Sequence, residues 1–306
     1  MALLAVFWGS SFLWIKLALH GLSPLQITAV RLATGGGLVL VLCLLTRDRL
    51  PRGRRVWAHL AVAAIFGNVL PFTLFGVGER TVDSGLAGVL NATTPLWALL
   101  IGILVGTERG LTAVRAGGLL LGFAGTLLIF APWHSAGLAS WGALAILGAA
   151  VSYGICFTYI GAFLAGRGGT PMALSAAQLL TAAGLTALAL PVAGLQPVHL
   201  EPLALIAATI LGVVGTGLAY VLNYRLIADE GPTNAATVGY LLPVVSVLLG
   251  TLFLSETLTF GVVAGMVIVL LGVAMTQWQP RFRSPIADPS DRGSSAQLVY
   301  EELQRS

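Results

Sequence analysis

Ten apolar stretches run almost end to end along this chain, each about as long as a bilayer is thick, and they fix what it can fold into. A hydrocarbon core about 30 Å thick takes about 20 residues of α-helix. Stretches of that kind fall near 2–20, 24–46, 57–77, 84–105 and 112–131, then near 139–165, 171–194, 202–228, 233–254 and 258–278. The separators are short and rich in helix breakers: Gly21-Leu22-Ser23-Pro24, Ala131-Pro132-Trp133-His134, Gly168-Gly169-Thr170-Pro171 and Gly231-Pro232-Thr233. The fold class this implies is an all-α polytopic membrane protein with ten transmembrane helices. Residues 279–306 carry Pro280, Pro285, Pro289, serines and charges, and are expected to form a disordered cytoplasmic tail.

Composition closes off the alternatives. Only 9% of the 306 residues are charged and 57% are hydrophobic, against about 25% charged in an ordinary soluble domain. Too little polar material is present to cover a water-facing surface, which excludes soluble enzymes, disordered proteins and secreted disulfide scaffolds. Cys43 and Cys156 both sit inside apolar runs, so neither a disulfide framework nor a metal site is expected. The first stretch has no basic leader and no small-residue cleavage site after it, so it reads as a retained span.

The net charge of +4 invites a nucleic-acid reading, but the distribution of charge points to orientation instead. With both termini cytoplasmic, Arg47, Arg49, Arg52, Arg54, Arg55, Arg109, Arg115, Arg167, Arg225, Arg281, Arg283, Arg292 and Arg305 fall on the inner side. Arg80 alone falls on the outer side. Thirteen against one predicts an N-in, C-in protein of the inner or plasma membrane, with no nucleic-acid partner.

The two halves resemble each other. An offset of 148 lays 83–128 over 231–276 with nine identities, among them Pro95/Pro243, Gly102/Gly250, Glu108/Glu256 and Gly117/Gly265. An offset of 147 lays 23–40 over 170–187 with six, including Pro24/Pro171, and makes Gln178 the counterpart of Arg31. Trp8-Gly9 matches Tyr153-Gly154 at an offset of 145. Five helices per half is an odd number, so the second half must cross the membrane inverted. Inverted repeats recur in secondary transporters, where two similar halves exchange roles and open to either side.

Particular residues carry a family resemblance. Trp8-Gly9-Ser10-Ser11-Phe12 through Ile15-Lys16, then Ser23-Pro24 and Arg31-Leu32, resemble the opening of EamA-type transporters of the drug/metabolite transporter superfamily. Pro95 with Gly106-Thr107-Glu108-Arg109-Gly110-Leu111-Thr112 looks like the end of the first repeat's fourth span. Pro243 with Leu254-Ser255-Glu256-Thr257-Leu258-Thr259 is its copy. The resemblance implies two repeats, 1–131 and 139–278, forming a carrier that exports amino acids, other small metabolites or toxic compounds.

Arg31 is the most informative charge. It lies about eight residues into its helix, roughly 12 Å below the outer end, at a depth where a charge costs about 2.5–3.5 kcal/mol unless it faces water or a partner. It is either a contact for a substrate carboxylate or gating pair, or an arginine satisfied by backbone carbonyls. Lys16, four residues from a span end, is expected to snorkel. No Asp or Glu lies mid-span, so nothing in the sequence supplies a proton relay. Glu108, Glu256 and Asp83 read as helix caps.

The remaining candidates for a substrate cavity are Trp8, Ser11, Asn68, Phe72, Asn91, Tyr153, Tyr220, Asn223 and Tyr240, beside Arg31. Amides and hydroxyls in apolar helices need partners or a wet cavity, and aromatic walls with a few amides suit amphipathic solutes. Helix packing is the alternative role for any one of them. Pro71, Pro95 and Pro243 fall within helices and free backbone carbonyls there, as helices around binding sites do. Gly118-xxx-Gly122 and Gly261-xxx-Gly265 fit close helix approach, within the chain or between copies in a homodimer. An intramembrane enzyme acting on a lipid or other hydrophobic substrate is the competing class. Against it, His20, His59, His134 and His199 lie near span ends, no His-Glu-x-x-His or paired-carboxylate motif appears, and Asp229-Glu230 is too slight an acidic cluster. Catalytic residues, metal ligands and cofactors are not expected.

Overall fold

The computed structural model describes residues 1–82, 84–107, 112–130, 140–166, 169–193, 201–245 and 260–277, and these are helical apart from turns and short connectors. The chain begins with α1 (Ala2–Gly9) and α2 (Ser11–Ala18), then α3 (Pro24–Leu45) and α4 (Arg54–Gly78). A break at 92–93 separates α5 (Ser84–Asn91) from α6 (Thr94–Val105), and α7 (Ala113–Phe130) follows. The second half holds α8 (Trp141–Phe163), α9 (Pro171–Ala193), α10 (Pro202–Glu230) and α11 (Pro232–Ala236). It continues with α12 over 238–245 and α13 (Phe260–Gln277). Among the described residues, six spans are long and apolar enough to cross a bilayer: α3, α4, the run Ala87–Val105, α8, Pro171–Pro191 of α9, and α10. Ala2–Ala18, Ala113–Ile129 and Phe260–Thr276 are shorter apolar helices. The expected tail and the Glu108, Glu256 and Asp83 caps lie outside the described residues.

Local chemistry sets the helix starts. Ser23 Oγ accepts the Gln26 N–H at 3.4 Å while Gln26 Oε1 accepts the Ser23 N–H at 2.8 Å, a reciprocal capping box with Pro24 as the first helical residue. The matched start of α9 repeats the plan, Thr170 Oγ1 accepting the Ala173 N–H at 3.1 Å ahead of Pro171. Ser140 caps α8 in the same way.

Both α4 and α10 contain one wide turn with i→i+5 geometry, at Ile65–Val69 and Val213–Leu218. The offset of 148 carries one onto the other. The closest pairings across the chain are α3 with α9 and α7 with α13. Gly118 and Gly272 let the last two helices touch backbone to backbone: a Cβ on Gly118 would lie 2.8 Å from the Gly272 carbonyl oxygen. The Gly118-xxx-Gly122 motif is therefore used within the chain, whereas Gly261 faces open space. Large apolar side chains such as Leu44, Leu45, Leu104 and Leu188 stay exposed on the outside, as they do on a surface that lipid covers.

Candidate functional site

A cavity of about 80 Å³ lies where α1, α2, α3, α4, α8 and α10 meet the broken helices α5–α6 and α11–α12. Three prolines shape its wall. Each lacks an N–H, so the carbonyl four residues earlier loses its helical donor. The three carbonyls so released belong to Gly67, Asn91 and Gly239, below Pro71, Pro95 and Pro243, and all three residues line the cavity. The Gly67 carbonyl is taken up by the Tyr220 hydroxyl, which donates to it across the bundle. Helix-breaking chemistry thus supplies polar backbone to a site otherwise walled by rings.

Those rings pack on one another in two groups. Trp8 meets Phe157 and Tyr220 edge-on at 6.4 Å between centroids in each case, Phe72 meets Tyr220 at 6.3 Å, and Phe75 meets Tyr153 at 6.1 Å. Arg31 is the one charged side chain among the lining residues and is only 6% exposed. Its guanidinium stands 3.4 Å above the Phe72 ring centroid, and its Nε–H donates to Thr216 Oγ1 at 2.7 Å. Ring face and hydroxyl hold the planar cation in place. Asn223 is 3% exposed, and its Oδ1 has no hydrogen-bond partner among the described residues. A guanidinium, an unpartnered amide oxygen and an aromatic enclosure can bind a small solute that joins a carboxylate to an apolar body.

The contacts come in matched pairs. Arg31 bonds Thr216, and Gln178, the counterpart of Arg31, donates to Asn68 Oδ1 at 2.6 Å, where Asn68 is the counterpart of Thr216 at 148. A Cβ on Gly67 would meet Cys156, and one on Gly215 would meet Ser11. Gly67/Gly215 match at 148 and Ser11/Cys156 at 145. Gly9 packs on Val245 as Gly154 packs on Trp97, again a matched set.

Eight of the ten residues singled out from sequence line the cavity: Trp8, Ser11, Arg31, Phe72, Asn91, Tyr153, Tyr220 and Asn223. Two do not. Asn68 is fully buried beneath the wall, held by Gln178, which also accepts from the Tyr224 hydroxyl. Tyr240 packs on Gly122 of α7, away from the cavity. Phe75, which the sequence offers with Trp8 and Phe72 as aromatic surface, joins the wall, as do Ile15, Thr94, Cys156 and Phe157, which it does not single out. Phe75 and Phe157 follow cavity residues Phe72 and Tyr153 at helical spacing, a signal the sequence did hold.

Lys16 is exposed, as its position near a span end implies. It borders a hollow lined also by Leu19, His20, Leu22, Glu79 and Arg80. Glu79 was passed over by sequence reasoning, yet it is 6% exposed and neither carboxylate oxygen has a hydrogen-bond partner among the described residues. It sits one residue past the end of α4, where a hydropathy pattern sees only a connector.

The sequence pattern of the EamA-like transporter family matches residues 1–131 and 140–278. The chain belongs to this family. Its relatives include proteins named as transporters. It is 30% identical over 300 residues to the "uncharacterized inner membrane transporter YedA" of Escherichia coli, covering 94% of each chain. It is 27% identical over 282 residues to an "uncharacterized transporter" of Archaeoglobus fulgidus, covering 89% of this chain and 95% of that one. One solved crystal structure superposes with a TM-score of 0.70 at 21% identity, spanning 90% of this chain and 98% of the other, a likeness of fold. This EamA-like chain is accordingly a multi-pass membrane transporter.

Proposed function

We propose that the protein is a secondary transporter that exports amino acids or other small amphipathic metabolites and drugs, with ten helices arranged as two inverted halves, 1–131 and 139–278, in alternating access. The observation that carries this reading is the reciprocal bridge pair, Arg31 to Thr216 and Gln178 to Asn68, each joining one half to the other beside the cavity. Two inverted halves meeting on matched contacts exchange conformations at little cost, which is what alternating access requires. The halves differ in one respect: Arg31 faces the cavity, while Gln178 is spent on packing. That asymmetry supplies a single cationic anchor.

At about 80 Å³ the cavity is smaller than the few hundred Å³ that ordinarily enclose an organic ligand, so on this reading the halves part before a metabolite enters. Efflux of radiolabelled amino acids from loaded proteoliposomes tests the proposal. Saturable efflux that Arg31→Ala strongly weakens is expected, and solute retention by well-folded protein across the amino acids and amphipathic drugs would overturn it.

A further inference from the structure

The buried carboxyl of Glu79 plays no part in the cavity chemistry above. It ends α4 on the face that carries Phe72 and Phe75, about one turn beyond Phe75. Ile15 and Phe75 belong to the cavity wall, and their neighbours Lys16 and Glu79 belong to the hollow. The two spaces are thus lined by residues adjacent in sequence on α2 and one turn apart at the end of α4, and Glu79 is the carboxyl at that junction.

Its surroundings disfavour an anion in three ways. It is 94% covered, both oxygens lack a donor among the described residues, and it lies at the carbonyl end of α4, where the helix dipole repels negative charge. The cations acting on it are Lys16 from α2 and Arg31 from α3, and Arg80 and the imidazole of His20 lie on the rim of the hollow. From α8 the contacts beside it at Gly78 come from Gly142 and Ile146, which bring no charge. Burial outweighs the two cations and pushes the Glu79 carboxyl up to about 8.

We infer that Glu79 is a proton-binding site coupled to the closure of this face: the closed form holds the carboxyl protonated, and opening of the hollow lets it ionise and release the proton to water. The step breaks the carboxyl O–H bond, leaves the electron pair on the carboxylate and passes the proton to water. The resulting anion is then solvated and faces Lys16. The inference deepens the carrier reading and rests on it for the meaning of closure, but the proton site is testable without any substrate.

The full chain in lipid vesicles is titrated while the protonated-carboxyl C=O stretch is followed by infrared spectroscopy. Wild type should lose a band with a midpoint near pH 8, Glu79→Gln should lack that band, and Glu79→Asp should regain one. In parallel, the addition of a water-soluble maleimide to Cys156, in the cavity wall, is quantified by mass spectrometry. Thiol ionisation cancels in the wild type to Glu79→Gln ratio at each pH. That ratio should be near one at pH 6 and rise several-fold by pH 9. A band lost below pH 6, or one that Glu79→Gln leaves in place, overturns the proton site; a ratio independent of pH overturns its coupling to closure. Vesicles that export no amino acid yet give both signals would remove the substrate proposal and leave this one standing.

Discussion

Arg31 and Thr216 sit 185 residues apart and are joined by a 2.7 Å hydrogen bond from the guanidinium Nε to the hydroxyl. The bond ties α3 to the wide turn of α10 and holds Arg31 at the cavity wall. Thr216 in turn donates to the Leu211 carbonyl, so the acceptor is itself held. A substrate carboxylate meeting Arg31 meets a cation already fixed by a ring and a hydroxyl.

Removing that cation should remove binding. Arg31→Ala is expected to weaken carboxylate-bearing substrates about 10- to 100-fold, in line with about 1.5–3 kcal/mol for a hydrogen bond to a charged group. Arg31→Lys should recover only part of this, because a point charge cannot reproduce the fork. Asn223→Ala should impair transport less than Arg31→Ala, and Glu201→Ala not at all. Transport rates at matched expression check the order.

Pro71 and Tyr220 should be energetically coupled through the Gly67 carbonyl. Tyr220→Phe leaves that buried carbonyl without a donor and should cost about 1–3 kcal/mol. In a Pro71→Ala background the restored Ala N–H can take the carbonyl back, so the same change should cost distinctly less. Thermal unfolding of the four proteins in detergent gives the coupling directly.

Space at the cavity wall makes a separate test. A Cβ on Gly67 would stand 2.4 Å from Cys156 Sγ, so Gly67→Ala should destabilise by about 1–3 kcal/mol. Cys156→Ala should restore part of it. Gly37→Ala, with nothing within 4 Å of the added methyl, should be neutral or slightly stabilising by Tm.

Stability should also report on Glu79. Its carboxyl binds a proton more tightly in the folded chain than in the unfolded one, because burial raises it from 4.5 to about 8. Its contribution is therefore full below about pH 4.5 and is lost as pH climbs towards 8. Relative to Glu79→Gln, wild type should lose Tm across that window and level off above it.

Orientation is open to labelling. Arg52→Cys and Arg80→Cys, both at exposed positions, should react with impermeant reagents from opposite sides of intact cells, Arg52 only after access to the cytoplasm. Equal reaction from outside would reverse the N-in, C-in assignment.

The sequence by itself determined an all-α membrane fold, several helix starts and eight of the residues that line the cavity. Apolar length, a Ser-Pro or Thr-Pro start and a proline's missing N–H are local properties, and they act wherever the chain goes. Trp8, Phe72, Tyr153 and Tyr220 could be chosen from sequence because rings and hydroxyls in apolar helices need partners or a cavity, although Tyr240, chosen on the same ground, packs on Gly122 instead. Tertiary structure alone decided the fates of matched residues: Arg31 opens onto the cavity while Gln178, its counterpart, is consumed by Asn68, Ala63 and Tyr224. It also decided Glu79. A carboxylate one residue past a span is ordinarily solvated, and only the approach of α2, α3 and α8 takes the water away. Desolvation is a property of neighbours brought from elsewhere in the chain, so no pattern local to residue 79 could have announced it.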